Sequence, residues 1–166
     1  MFMKSIQSLC LIQSILMKTD LSNATFIIPI RIESDDRLRN VVTSIAFLVE
    51  NFDTNIIVKE VDKESVFQTE VLPIFEEILE VDLWKNFHHI FERSEEPLFH
   101  RQRVLNEMIA ECETDIVVNY DCDVILPMKS YELAYNGITE GIYDVVYPYG
   151  SGTVSYTHLT LPTTRL

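Results

Sequence analysis

Between residues 24 and 60 the chain contains an apolar run, a helical pattern and a second apolar run, and this order strongly constrains the fold. Residues 24–30 (Ala-Thr-Phe-Ile-Ile-Pro-Ile) and 55–60 have the composition of buried strands. The stretch between them repeats apolar side chains at helical spacing, and Ser34 or Asp35 can cap its start. Such a strand–helix–strand order is a βαβ unit, which predicts that the two strands are parallel.

The same alternation continues along the chain. The further predicted elements are a helix at 65–83, a strand at 88–91, a helix at 98–112, a strand at 116–118, a helix at 129–139 and a strand at 144–147. Pro73 either kinks the first of these helices or marks a late start. A chain of 166 residues can bury one full core. The predicted fold class is therefore α/β, a mostly parallel sheet flanked by helices, in one domain or part of one.

Two carboxylates follow the fourth predicted strand, where residues 120–123 read Tyr-Asp-Cys-Asp. Positions i and i+2 of an extended backbone point the same way, so Asp121 and Asp123 can face a single point. Two adjacent anions repel unless a cation lies between them, and carboxylate oxygens suit Mg²⁺ or Mn²⁺. The pair indicates a metal–diphosphate site and, taken alone, is also typical of a polar turn after a strand.

Other polar residues are expected at the same edge of the sheet. Arg31 and Glu60 follow or end the first two predicted strands, and residues 99–101 follow the third. Ligands of open α/β sheets bind beyond the carboxyl ends of the strands. We therefore expect these residues to converge with Asp121 and Asp123 on one site.

Charge and cysteine content narrow the function further. A formal net charge of −13 argues against binding to a nucleic-acid backbone, which requires clustered Lys and Arg. Cys10, Cys112 and Cys122 form no disulfide or zinc pattern, so reduced thiols are the simplest account. The expected location is the cytoplasm, and peripheral association with a membrane is left open.

The first 23 residues are interpreted as an N-terminal extension. Residues 1–16 are too short and too polar to span a membrane, and they lack the cleavage site of a signal peptide. They form either an amphipathic helix or upstream sequence before a true start at Met17. No transmembrane segment is predicted.

Four sequence blocks occur in a defined order. They are Ile-Ile-Pro-Ile-Arg at 27–31 with Arg-Leu-Arg-Asn at 37–40, Phe-His-Arg at 99–101 with Leu-Asn at 105–106, Asp-Cys-Asp at 121–123 with Pro127, and Asp-Val-Val-Tyr-Pro-Tyr at 144–149. Together they resemble the N-terminal half of a family 2-type glycosyltransferase of the GT-A fold, in its galactosyltransferase-like subgroup. The resemblance implies a Rossmann-like nucleotide-diphospho-sugar transferase half, a UDP-sugar donor, Mn²⁺ or Mg²⁺, and transfer of a hexose to a glycan or another hydroxyl acceptor.

The resemblance also implies roles on the nucleotide side of the site. Pro29, Ile30 and Arg31 would line the nucleotide pocket. Glu60 would meet the uracil or the ribose, and Phe99 would pack on the base. Without the resemblance, Phe99 is as readily explained as ordinary core at a helix start, and Glu60 as the end of a strand.

Three further residues are implied on the diphosphate side. Arg101 would contact the pyrophosphate, Asp121 would approach the ribose and the metal, and Asp123 would be the direct metal ligand. The competing interpretation of Arg101 is a solvated residue in the first turn of a helix. Cys122, between the carboxylates, is interpreted as a small spacer. The resemblance identifies no catalytic base in this sequence.

Two alternative functions remain open. Residues 118–125 also resemble the first motif of haloacid-dehalogenase-type phosphatases, in which Asp121 would be the nucleophile and Asp123 the acid/base. That family places the motif on its first strand and needs a downstream Lys, whereas here three predicted strands precede it and no Lys follows Lys129. A non-catalytic nucleotide-binding fragment is the other alternative.

The last thirteen or so residues differ in composition from the rest. Residues 154–166 contain no acidic side chain and resemble the translation of sequencing-adapter read-through, the alternative being a natural Thr-rich terminal strand. The authentic sequence is thus expected to be interrupted near Gly152 or Thr153. The predicted organisation is an extension at 1–23, an incomplete nucleotide-sugar-binding domain at 24–153 and a non-native tail at 154–166.

Overall fold

A computed structural model of the protein describes residues 18–79 and 85–148. Several predictions lie wholly or partly outside these residues: most of the extension at 1–23, the end of the helix expected at 65–83, and the tail at 154–166. Residues 19–23 of the expected extension belong instead to the first strand of the sheet. Among the residues described, no helix combines the length and the apolar character needed to cross a membrane.

Helices and strands alternate along the chain, as predicted. The elements are β1 (Thr19–Ile30), α1 (Asp35–Asn51), β2 (Phe52–Asp62), a π-helical turn (Phe67–Val71) that continues into α2 (Leu72–Ile78), β3 (Phe87–Arg93), α3 (Arg101–Ala110), β4 (Ile116–Asn119) and α4 (Met128–Thr139). The α/β class is therefore confirmed.

The four strands form one sheet in the order β3-β2-β1-β4, and each neighbouring pair is parallel. The chain moves outward from β1 through β2 to β3 and then returns to the other side of β1 as β4. This reversal makes a topological switch point between β1 and β4, the position where open α/β sheets bind ligands. The topology is compatible with a Rossmann-like fold.

The centre of the sheet is buried because β1 has neighbours on both sides. Phe26, Ile27 and Ile28 are almost completely inaccessible to solvent. Ile27 belongs to a core cluster in which strand residues pack against Val104 and Met108 of α3. A strand that is buried on both faces has a continuous run of apolar residues. This run is why the sequence predicts β1.

The start of α1 follows the predicted capping chemistry. The Ser34 hydroxyl accepts a hydrogen bond from the N–H of Arg37 at 3.3 Å, so Ser34 is the cap residue. Asp35 and Asp36 lie in the first turn, where negative charge is favourable near the positive end of the helix dipole. The cap places α1 directly after the carboxyl end of β1.

Three sequence predictions need correction or refinement. The helix expected to begin at residue 98 begins at Arg101, and Leu98 and Phe99 lie outside it. The strand expected at 144–147 is wrong: none of these residues is in a strand, and the Tyr147 side chain is 81 % exposed. A short run of β-branched and aromatic residues alone does not supply the neighbouring backbone that a strand requires. Pro73 lies in the first turn of α2, so it marks a late start.

The chain divides into two compact units, one ending at Ile125 and the other beginning at Leu126. The sheet and all the predicted site residues lie in the first unit. In the second unit, the Tyr131 hydroxyl accepts a hydrogen bond from the N–H of Leu126 at 3.1 Å. Gly137 lies so close to the Tyr143 ring that a side chain at this position would meet it at 2.8 Å.

Candidate functional site

At the switch point, β4 ends before β1 does. The last β4 contact is the hydrogen bond from the N–H of Tyr120 to the carbonyl of Ile27 at 3.1 Å, whereas β1 continues to Ile30. Backbone groups two residues apart in a strand point towards the same neighbouring strand. The carbonyl of Ile27 points towards β4, so the nitrogen of Pro29 points to the same side, past the last hydrogen bond between the two strands. The missing N–H of proline therefore costs no ladder hydrogen bond.

Arg31 directly follows β1, and its positively charged side chain is buried. Its Nε donates to the carbonyl of Val61 at 2.8 Å and its Nη1 to the carbonyl of Pro97 at 3.2 Å. Nη2 is buried and has no hydrogen-bond partner among residues 18–79 and 85–148, and the residue is only 8 % exposed. A buried charge is costly unless it is paired. The free nitrogen is therefore suited to a ligand that supplies an oxygen acceptor.

Phe99 lies beside Arg31. The guanidinium carbon is 5.6 Å from the centre of the Phe99 ring, within the range of a cation–π contact. The ring is half-buried and packs against the core cluster that contains Ile27 and Met108. Phe99 thus has part of its surface in the core, consistent with the structural interpretation, and part outside it.

Glu60 is fully buried, and its carboxylate is occupied within the protein. One oxygen accepts from the N–H groups of Val66 and Phe67 at 2.9 and 3.0 Å, and the other accepts from the Ser65 hydroxyl at 2.5 Å. His89 Nε2 lies 3.4 Å from the second oxygen. The carboxylate therefore stabilises the turn that leads into α2, and the structure directs it away from solvent.

The pKa of Glu60 reflects two opposing effects. Burial disfavours the ionised carboxylate and raises its pKa, whereas the nearby His89 imidazole and hydrogen bonds from Ser65 and the N–H of Phe67 favour it. The hydrogen bonds dominate, so the pKa of Glu60 lies below its ordinary value. Glu60 is ionised at neutral pH, as an anion that receives several donors should be.

Asp121 and Asp123 lie in an exposed turn after β4. Asp121 forms an ion pair with Nη2 of Arg101, at the start of α3, and this nitrogen also lies 3.3 Å from Oδ1 of Asn119. The structure therefore brings together two residues that the sequence assigned to the diphosphate side. An open depression of about 570 Å³ beside them is lined by Glu96, His100, Arg101, Gln102 and Arg103.

The turn is held by hydrogen bonds that the sequence did not reveal. The Ser44 hydroxyl donates to the carbonyl of Cys122 at 2.5 Å, and the Tyr120 hydroxyl donates to the carbonyl of Val124 at 2.7 Å. The one available signal was Ser44 itself, a polar residue on the apolar face of α1 with Val41 and Leu48.

Cys122 behaves as the spacer that the sequence suggested. Burial raises the pKa of its thiol to about 12, and the neighbouring charges of Asp121 and Asp123 add to this effect. The thiol is therefore neutral at physiological pH and is a poor nucleophile.

A metal site at Asp121 and Asp123 would need further donors from a substrate. Among residues 18–79 and 85–148, no group of three or more His, Cys, Asp or Glu side chains is arranged to hold a metal ion. Mg²⁺ is commonly bound by one or two carboxylates together with substrate phosphates and water. Asp121 and Asp123 match this donor set.

Comparison of the chain with known protein families, curated proteins and solved structures finds no match. The function is therefore inferred from the residues at the switch point. These form two contacting pairs, Arg31 with Phe99 and Arg101 with Asp121, while the Glu60 carboxylate is bound to the turn before α2.

Proposed function

We propose that the chain is the donor-binding part of a glycosyltransferase that uses a UDP-sugar and Mn²⁺ or Mg²⁺ to transfer a hexose to a glycan or another hydroxyl acceptor. The proposal depends most on the arrangement at the switch point. Arg31, with its unpartnered Nη2, follows one flanking strand, and Asp121 and Asp123 follow the other. The motif resemblance described from the sequence supports the same activity.

On the nucleotide side, Pro29 and Ile30 form the end of β1, and Arg31 offers Nη2 to an oxygen of the nucleotide. A hydrogen bond to a charged donor satisfies the buried guanidinium and stabilises the complex. Phe99 provides a partly exposed aromatic surface beside it, suited to packing on a base. Glu60 can meet the uracil or ribose only if it exchanges some of its present hydrogen bonds.

On the diphosphate side, Asp123 and Asp121 would hold the divalent ion, and Arg101 would turn from Asp121 to the pyrophosphate. The ion, when bound, would neutralise the negative charge that develops on the leaving diphosphate. The protein residues would bind and orient the donor so that its anomeric carbon faces the acceptor. We assign no general base among the described residues.

Calorimetry of UDP binding tests the proposal. We expect binding in the presence of Mn²⁺, much weaker binding with EDTA, and loss of the metal-dependent part in Asp123→Ala. The matched control is Asp115→Ala, which removes an exposed carboxylate before β4 that pairs with Asn23. Equal UDP binding by wild type and Asp123→Ala would contradict the site.

The alternatives predict different products. A phosphatase would release inorganic phosphate from phosphate esters and would become phosphorylated on Asp121. A non-catalytic nucleotide-binding protein would bind UDP without consuming any UDP-sugar. Incubation with a panel of UDP-sugars and acceptors, followed by product analysis, distinguishes these outcomes from glycosyl transfer.

A further inference from the structure

Ser44 is a buried polar residue at a position where an apolar one would be expected. It lies in the interior of α1 among Val41, Ile45 and Leu48, and it is 2 % exposed. Serine is a weaker helix former than alanine, and a buried hydroxyl needs a partner. The partner is the carbonyl of Cys122, 78 positions away in sequence, in the middle of the acidic turn. The hydroxyl therefore joins α1 to the turn.

Tyr120 forms a second side-chain hydrogen bond to the same turn. Its ring is buried and lies edge-on to Phe26, with 5.6 Å between the ring centres. Its hydroxyl donates to the carbonyl of Val124, so one side chain connects the residue before Asp121 with the residue after Asp123. Within the same turn, the N–H of Val124 donates to the carbonyl of Asp121 at 3.2 Å.

These contacts fix the backbone on both sides of each carboxylate. Two carboxylates bind one ion best when their positions are set before the ion arrives, since no binding energy is then spent on ordering them. We propose that Ser44 and Tyr120 are positioning residues that hold the Asp121–Asp123 turn in the geometry that binds the divalent ion. The consequence for ion affinity rests on the proposed function, whereas the effect on the turn does not.

Two variants remove the hydroxyls with little other change. Ser44→Ala leaves the helix with a better helix former, and Tyr120→Phe leaves the ring against Phe26. The matched control is Thr54→Val, because Thr54 is also buried and its hydroxyl also donates to a backbone carbonyl, that of Ala24, near the amino end of β2. Thermal unfolding of all three variants in the absence of metal ions measures how much each hydroxyl contributes to the stability of the fold.

Ion binding is measured from the free Mn²⁺ signal in electron paramagnetic resonance, with Mn²⁺ alone and with Mn²⁺ plus UDP. We expect Ser44→Ala and Tyr120→Phe each to weaken Mn²⁺ binding by about 10-fold, the lower end of the effect seen for groups that support metal ligands. Thr54→Val should bind Mn²⁺ like the wild type. Wild-type affinity in both site variants, or an equal loss in Thr54→Val, would overturn the proposal.

Amide hydrogen exchange reports on the turn independently of any ligand. Loss of either hydroxyl should accelerate exchange at the N–H of Val124 severalfold in the ion-free protein. Unchanged exchange in both variants would overturn the positioning role even if UDP binds as proposed. If instead the wild type binds neither Mn²⁺ nor UDP while exchange is accelerated, the proposed function fails and the positioning of the turn stands.

Discussion

The guanidinium of Arg101 forms an ion pair with the carboxylate of Asp121, so a predicted pyrophosphate contact and a predicted metal ligand neutralise each other in the ligand-free protein. Both side chains are more than 40 % exposed, and exposed pairs of this kind contribute little to stability. The pair is therefore easily opened. A donor diphosphate would attract Arg101 and release Asp121 to an ion, which couples the two binding events.

This coupling predicts opposite effects of Arg101→Gln. Mn²⁺ alone should bind about two- to fivefold more tightly, because an exposed pair of this strength no longer competes for Asp121. UDP in the presence of Mn²⁺ should bind more weakly, because a cation facing the diphosphate is lost. Calorimetry with each ligand measures both effects, and Arg93→Gln, which removes an exposed cation near Glu95, is the control. Changes in the same direction for both ligands would contradict the coupling.

Arg31→Lys tests the unpartnered nitrogen. Lysine keeps the charge but cannot direct donors to Val61, Pro97 and a ligand at once. UDP affinity should fall by roughly 10-fold or more, the value of a hydrogen bond from a charged group. Calorimetry at saturating Mn²⁺ measures the loss. Unchanged affinity would show that the nucleotide accepts no hydrogen bond from Nη2 of Arg31.

Phe99→Leu separates packing from stacking. Leucine can still contact the core cluster around Met108, so the free energy of unfolding should change only modestly. UDP affinity should fall by roughly 1–3 kcal/mol if the ring stacks on the base. Urea denaturation and calorimetry on the same variant give the two numbers. A large loss of stability with unchanged affinity would identify Phe99 as a core residue alone.

Glu60→Gln should destabilise the protein at neutral pH. The buried carboxylate accepts charge-assisted hydrogen bonds before α2, and their loss should lower the free energy of unfolding by about 2 kcal/mol. UDP affinity should change less than twofold, since the carboxylate is fully buried. Urea denaturation at pH 7 measures the first effect, and Glu64→Gln, at an exposed neighbouring acid, is the control.

The same carboxylate gives a dependence of stability on pH. Because the pKa of Glu60 is lower in the folded protein than its ordinary value of 4.5, its stabilising effect is complete above that value. It is lost as the pH falls through the lower pKa of the folded state, where the carboxylate becomes protonated. The stability difference between wild type and Glu60→Gln should therefore shrink as the pH falls below 4.5. A constant difference would contradict the pKa shift.

The sequence predicts the sheet well because burial on both faces leaves a continuous apolar run, as in β1 and β2. It also predicts the cap of α1, since capping by Ser34 depends only on neighbouring residues. Distant contacts are not visible in the sequence. Burial of Arg31 depends on Val61 and Pro97, and the role of Ser44 depends on Cys122. The strand expected at 144–147 failed for the same reason, because its pattern does not show whether a neighbouring strand exists.

Pro29 also has a consequence for association between molecules. Since β4 ends opposite Ile27 and β1 continues to Ile30, the last three residues of β1 have no strand partner on the β4 side among the described residues. Such edges are templates for strand addition by other chains and for aggregation. An incoming strand would find no N–H at Pro29, the half-buried residue between the buried Ile28 and Ile30, and would lose a hydrogen bond there. The missing N–H of this residue thus disfavours edge-to-edge association at the carboxyl end of β1.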